Sequence, residues 1–352
     1  MLACYAAVPM PVEFSIHELI RSRAFRRAVS FVIGIGIPAA VCLWLRLSDG
    51  LLLAVITALM FSFADDEGPL INRFIALGRS AAGIALGAAG GYLLGGYSPL
   101  FWLLFIVAAF AAAWLNRAGR TAHIGARLAV MAMAITAGTP GLSRVEVFCV
   151  LGSLAVVTLA RLADHAVFGP LPASTLRTPP PVPENDWLWV RYAAAYAVAA
   201  AAGLWLGLMV DPAHAIWVAI TTLVVMQPDD RSNYRRILER VVGTIIGTAV
   251  AFVLTRLVLP PAVTVAAIIA TAAVLPHHIP LRYWAHTAAI ALLVLMSYDL
   301  ASEMGGTFAT PSVGLFTERL VDVFVGAALA LAGTFVAFPW NVLRAREPEE
   351  QG

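Results

Sequence analysis

Two arginines, two threonines and two acidic pairs stand at matching places in this 352-residue chain, and together they can bind and move an organic anion. Thr57 lies in the run Ala54-Val55-Ile56-Thr57-Ala58-Leu59, which leads to Asp65-Asp66. Thr221 lies in Val218-Ala219-Ile220-Thr221-Thr222-Leu223, which leads to Asp229-Asp230. Arg79 then precedes Gly83 and Gly87, as Arg240 precedes Gly243 and Gly247. A guanidinium fork matches the two oxygens of a carboxylate. Arg79 and Arg240 read as the first residues of apolar helices, where free backbone N–H groups and the helix dipole also favour an anion. Thr57, Thr221 and Thr244 add hydroxyls that can bond a substrate oxygen, although such a hydroxyl often bonds its own helix instead. Asp65, Asp66, Asp229 and Asp230 are candidates for carrying a coupling proton; their alternative is to pair with arginines or face water.

Glu146 and Asp322 complete the set of candidate acids. Asp322 lies three residues after Arg319 on one helix face, a spacing that predicts a local ion pair. Glu146 has no such neighbour, which makes it a functional candidate within the membrane. Arg161, Asp164 and His165 form a further local set expected to pair among themselves. His277, His278 and His286 fit no ligand spacing, and Cys4, Cys42 and Cys149 are far apart in sequence, so neither a metal site nor a disulfide frame is expected. P-loop, nucleophile-elbow and HExxH signatures are missing, so no cofactor and no enzymatic activity are expected.

The elements that position these residues must lie in lipid. Apolar residues make up 61% of the chain and charged ones 12%, against roughly 25% charged in soluble domains. The net charge is only +2, so no nucleic-acid partner is suggested. Apolar runs fall near 28–46, 50–64, 79–97, 100–115, 124–140 and 145–167, and again near 190–210, 213–227, 240–258, 261–276, 283–299 and 317–338. The fold class expected is therefore an all-α integral membrane protein of about twelve spans. They form two parallel six-helix repeats about a pseudo-twofold axis along the membrane normal. The parts are an amphipathic segment 1–27, repeat 28–168, a proline-rich linker 169–186, repeat 187–340 and a tail 341–352. Only Arg46, Arg144, Arg256 and Arg319 of the basic residues fall on one side, so the positive-inside rule makes both termini and the linker cytoplasmic. The nine tryptophans fall near span ends, as interfacial belts require.

Small residues four apart predict close helix contacts. Gly83, Gly87, Gly91 and Gly95 form one stripe and Gly243 and Gly247 another, both assigned to helix packing. One arrangement consistent with them crosses the third span with the ninth on the pseudo-symmetry axis.

The stretch from Ala215 to Pro228, AIWVAITTLVVMQP, followed by RILERVVGTIIG from Arg236 to Gly247, resembles the fusaric acid resistance protein-like family. In the first half Arg79, Gly83 and Gly87 are a weaker copy, with Leu53 in place of the tryptophan and Phe63-Ala64 in place of Gln-Pro. That family includes bacterial aromatic acid exporters and is distantly similar to aluminium-activated malate channels of plants. The resemblance implies proton-driven export of aromatic or other small organic acids across a bacterial inner membrane, beside a periplasmic adaptor of the membrane-fusion type. The larger exporters carry a sizeable cytoplasmic domain that the linker and Leu343–Gly352 do not supply. Lipids are the other expected partner, and self-association into a homo-oligomer stays open. Two alternatives remain at this level: a passive organic-anion channel, and a non-transporting scaffold subunit of an adaptor or envelope-synthesis complex.

Overall fold

Lipid offers no hydrogen bonds, so a chain this apolar must satisfy its backbone internally, and it does so with helices. A computed structural model describes residues 16–66, 68–139, 141, 143–172, 186–210, 212, 214–228, 230–257, 259–278, 282–305 and 313–338. A short α1 (Ile16–Arg21) leads into α2 (Arg23–Leu45), α3 (Ser48–Phe63), α4 (Leu70–Leu94), α5 (Pro99–Trp114), α6 (Arg120–Ala137) and α7 (Arg144–Phe168). After the linker come α8 (Asp186–Val210), α9 (Ile216–Val225), α10 (Asp230–Arg256), α11 (Pro261–His278), α12 (Tyr283–Glu303) and α13 (Val313–Ala337). Serines open three of them: Ser22, Ser98 and Ser143 each accept a hydrogen bond from the backbone N–H three residues on. Ser143 and Glu146 form a full capping box.

Among the described residues, eight helices are long and apolar enough to cross a membrane: α2, α4, α5 with its following 3-10 turn, α7, α8, α10, α12 and α13. The twelve apolar runs of the sequence are therefore not twelve equivalent helices. α3 and α9 have 16 and 10 residues, α11 is apolar only from Pro261 to Pro276, and α6 carries His123 and Arg127 within its length. At 1.5 Å per residue α9 covers about 15 Å, half of a hydrocarbon core.

The helices before the linker and those after it pack by one scheme. α4 lies on α6 as α10 lies on α12, α3 on α7 as α9 on α13, and α2 on α3 and α7 as α8 on α9 and α13. Contacts between the two stretches obey the same exchange: α11 lies on α2 as α5 lies on α8, and α12 touches α3 as α6 touches α9. The buried cores are shared accordingly. Phe101 and Phe105 of α5 pack in one core with Tyr192 and Tyr196 of α8, while Phe31 and Ile35 of α2 share another with Ile268 and Leu275 of α11. Side chains such as Leu86, Leu93 and Val167 point outward, as a lipid-facing surface requires.

The glycine stripes decide which helices touch. A Cβ at Gly83, Gly87 or Gly91 would collide with backbone carbonyls of Gly125, Ala129 or Met133 on α6, and one at Gly243 or Gly247 with those of Trp284 or Ala288 on α12. Both stripes thus serve contacts within their own half of the chain, and the expected crossing of the third and ninth spans is replaced by these pairs. Gly95 is not part of the stripe: it closes α4 in the left-handed conformation, φ 58°, with open space around it. Gly87→Ala should therefore separate α4 from α6 at a cost of about 1–3 kcal/mol or more, whereas Gly78→Ala, whose Cβ meets nothing within 4 Å, should cost nothing. The monodisperse fraction surviving a heat step in detergent distinguishes the two.

The fold also joins cysteines that are 107 residues apart: Cys42 of α2 and Cys149 of α7 are buried and free, with their sulfurs 3.8 Å apart. Sequence spacing gave no sign of this pair.

Candidate functional site

Among the described residues two buried polar clusters stand out, and they differ in whether their hydrogen bonds are satisfied. The first joins the loop after α3, the start of α4 and the end of α7. Arg73 clamps Asp65 with two bonds of 2.9 and 2.8 Å and reaches Asp164 at 2.6 Å. Arg26 grips the same Asp164 at 2.8 and 3.0 Å and bonds the carbonyls of Gly169 and Pro170. Arg161 donates to the carbonyls of Phe61 and Arg73 and lies 3.5 Å from Asp65. The local pairing expected of Arg161 with Asp164 gives way to this lattice across three helices. After α9 the corresponding junction is built from amides instead. Asn233 accepts from the backbone N–H of Gln227 at 2.6 Å, donates to its carbonyl at 2.9 Å and reaches Thr334 at 3.2 Å.

The lattice decides what Asp65 can do. Burial alone would push its carboxyl up, but Arg161, Arg73 and Arg27 outweigh that and hold it below the usual 3.8. Asp65 therefore stays ionised and clamped, a structural part and a poor proton carrier. A depressed carboxyl stabilises the fold above its unfolded value and loses that contribution as pH falls through the still lower folded value. The melting-temperature gap between wild type and Asp65→Asn should accordingly be constant from pH 8 to about 5 and close only below about 4.

The second cluster gathers on α9, α10, α12 and α13. Arg240 lies ten residues into α10, about 15 Å along it. Arg240, Thr244 and Thr248 are spaced i, i+4, i+8 and share one face. Thr287 of α12 packs against Gly243. From α13 come Arg319 and Asp322, and the charge on Arg319 interacts with Arg240, Asp322 and Tyr298. The Arg319 guanidinium lies 4.5 Å from the centre of the Trp217 ring, which in turn meets Tyr298 at 5.4 Å and His214 at 4.7 Å. Arg240, Thr244, Thr248, Thr287, Arg319 and Asp322 are each at most 5% exposed. Yet Nε of Arg240, Nε and Nη1 of Arg319 and the hydroxyls of Thr244, Thr248 and Thr287 have no hydrogen-bond partner among the described residues. Each buried donor left unmade costs about 1–3 kcal/mol, so these six, on α10 and on the helices α12 and α13 that pack against it, mark a candidate site for a polar ligand.

The remaining candidates are distributed as follows. Arg79 is exposed and bonds Thr121 at 2.6 Å. Neither Arg79 nor Arg240 starts a helix, because α4 and α10 begin at Leu70 and Asp230 with polar turns that an apolar count passes over. The helix-terminal anion seat is therefore withdrawn. The two arginines are not counterparts either. Three residues before Gly83 is Ser80, and three before Gly243 is Arg240; Ser80 bonds the Ala76 carbonyl at 3.0 Å. Thr57 and Thr221 are buried and donate to their own helices, at 2.6 Å to Leu53 and 3.2 Å to Trp217. Glu146 is half-buried and accepts from the Ser143 N–H at 2.6 Å, so its partner is the helix cap. Asp66 follows Asp65 in the loop after α3, Asp230 opens α10, and Asp229 lies outside the described residues. Trp217 and Trp189 are buried and not part of an interfacial belt.

Sequence reasoning placed Arg240, Thr244 and Asp322 among the candidates and passed over Thr248, Thr287 and Trp217. It read Arg319 only as the partner of Asp322. The i, i+4, i+8 spacing of Arg240, Thr244 and Thr248 was the available signal.

Comparison with known proteins bears on this second cluster. Residues 195–333 match the family model described as fusaric acid resistance protein-like. Over 126 residues the chain is 27% identical to the inner membrane protein YccS of Escherichia coli (strain K12), a match that covers 36% of this chain and 16% of that protein. The chain thus corresponds to a small part of that relative's length. No solved structure matches. Every member of the second cluster falls within residues 195–333, the stretch that is similar to the fusaric acid resistance protein-like family.

Proposed function

We propose that the protein is an inner-membrane secondary transporter that exports small organic acids, aromatic carboxylates above all, through the cluster around Arg240 and Arg319. The observation that carries this reading is the pair of buried guanidiniums with unmade hydrogen bonds. A carboxylate would take two N–H groups in a fork, the threonine hydroxyls its remaining lone pairs, and the Trp217 and Tyr298 rings the face of an aromatic substrate. The architecture we assign is twelve helices in two parallel repeats, supported by the exchange of packing partners between the halves. In this reading the arginine-rich side, with both termini and the linker, faces the cytoplasm.

The closed state of the cluster, with no member more than 5% exposed, favours a carrier over a continuously open channel. Asp65 and Glu146 are already committed to the lattice and the cap, so proton coupling is assigned to Asp66 in the loop after α3, to Asp230, which opens α10, and to its sequence neighbour Asp229. The test is flux of labelled benzoate into proteoliposomes under separately imposed pH and voltage gradients. Saturable flux that responds to the pH gradient is the expected result. Flux that follows voltage alone would establish a channel, and no flux from folded protein would leave a scaffold subunit.

A further inference from the structure

We infer that the cluster is built to accept one negative charge, and that Asp322 sets this limit, so that monocarboxylates are carried and dicarboxylates are refused. The inference rests on the transport reading above and names the substrate class of that same site.

Charge is costly in a buried site, and the cluster carries an uneven number of charges. Arg240 and Arg319 bring two positive charges, each buried to 5% exposure or less. Asp322, 1% exposed, brings one negative charge that acts directly on Arg319. The other members, Thr244, Thr248 and Thr287, are neutral. Neighbouring titratable groups have contacts of their own: Glu318 lies 3.7 Å from His214, and His286 packs on the rings of Phe63 and Tyr283. With Asp322 ionised the balance is one positive charge. A monocarboxylate brings the cluster to neutrality, which is the state a low-dielectric interior tolerates best. A dicarboxylate leaves one negative charge there with no partner, and a buried unpaired carboxylate is the most heavily penalised outcome.

Benzoate and isophthalate test this, since they share a ring and differ by one carboxylate. Proteoliposome flux of wild type should favour benzoate by about 100-fold, as expected when a second carboxylate must be buried without a partner. Asp322→Asn raises the balance to two positive charges and should shift the isophthalate-to-benzoate ratio upward by about tenfold or more. Asp322→Glu keeps the charge and should retain the wild-type ratio. Equal flux of the two acids through wild type overturns the inference, and this arm needs no variant to fold. An unchanged ratio in folded Asp322→Asn also overturns it. Absence of benzoate flux in wild type is a different failure: it removes the transport reading itself.

Discussion

Arg240→Gln should lower benzoate flux by about 100-fold while Arg79→Gln changes it less than twofold, a contrast that separates two arginines the sequence presents as a pair. A charge-assisted hydrogen bond contributes about 1.5–3 kcal/mol, and a fork provides two, so losing the fork weakens binding by at least two powers of ten. The fold should tolerate the change, because the Nε of Arg240 makes no hydrogen bond among the described residues. Glutamine keeps much of the side-chain volume and removes the charge. Arg79 is exposed and its bond to Thr121 is a surface contact, worth little in either stability or function. Equal losses at the two positions would return the anion seat to the pseudo-symmetric arrangement read from the sequence.

Arg73→Ala is expected to have the largest effect on stability, about 3–5 kcal/mol, because it leaves two carboxylates buried beneath a missing cation. Asp65 and Asp164 have side-chain exposures of only 5% and 8%, and Arg73 bonds both. Arg161 and Arg26 would remain to neutralise them but are already engaged with backbone carbonyls. Asn233→Ala at the corresponding junction removes amide bonds only and should cost about 1–3 kcal/mol. Thermal unfolding of the two variants in one detergent should show Arg73→Ala melting well below Asn233→Ala. A reversed order would mean that the ion lattice contributes less than the amide clip.

Some of this was legible in the sequence. The Thr57 and Thr221 runs, followed by acidic pairs, marked corresponding helices, and the structure gives α3 and α9 corresponding packing partners. The glycine stripes were visible as contact faces because spacing by four is a property of one helix. Their partners were not, since Gly125 and Trp284 receive them across loops that spacing does not encode. The starts of α4 and α10 were placed nine or more residues late because polar first turns, with Asn72 and Arg73 or Arg231 and Asn233, do not read as membrane helix. That error made Arg79 and Arg240 look like helix N-termini. Pairings over long separations were equally hidden: Arg26 with Asp164, Cys42 with Cys149, and Arg240 with Arg319 each come together only through packing. Asp322 was legible as a neighbour of Arg319, but not as a charge set beside a second arginine.

Binding of labelled benzoate to the purified protein in detergent tests the central claim most directly. The account predicts saturable binding at one site per chain, lost in both Arg240→Gln and Arg319→Gln and retained in Arg79→Gln. Saturable binding that survives both buried arginine substitutions would contradict it.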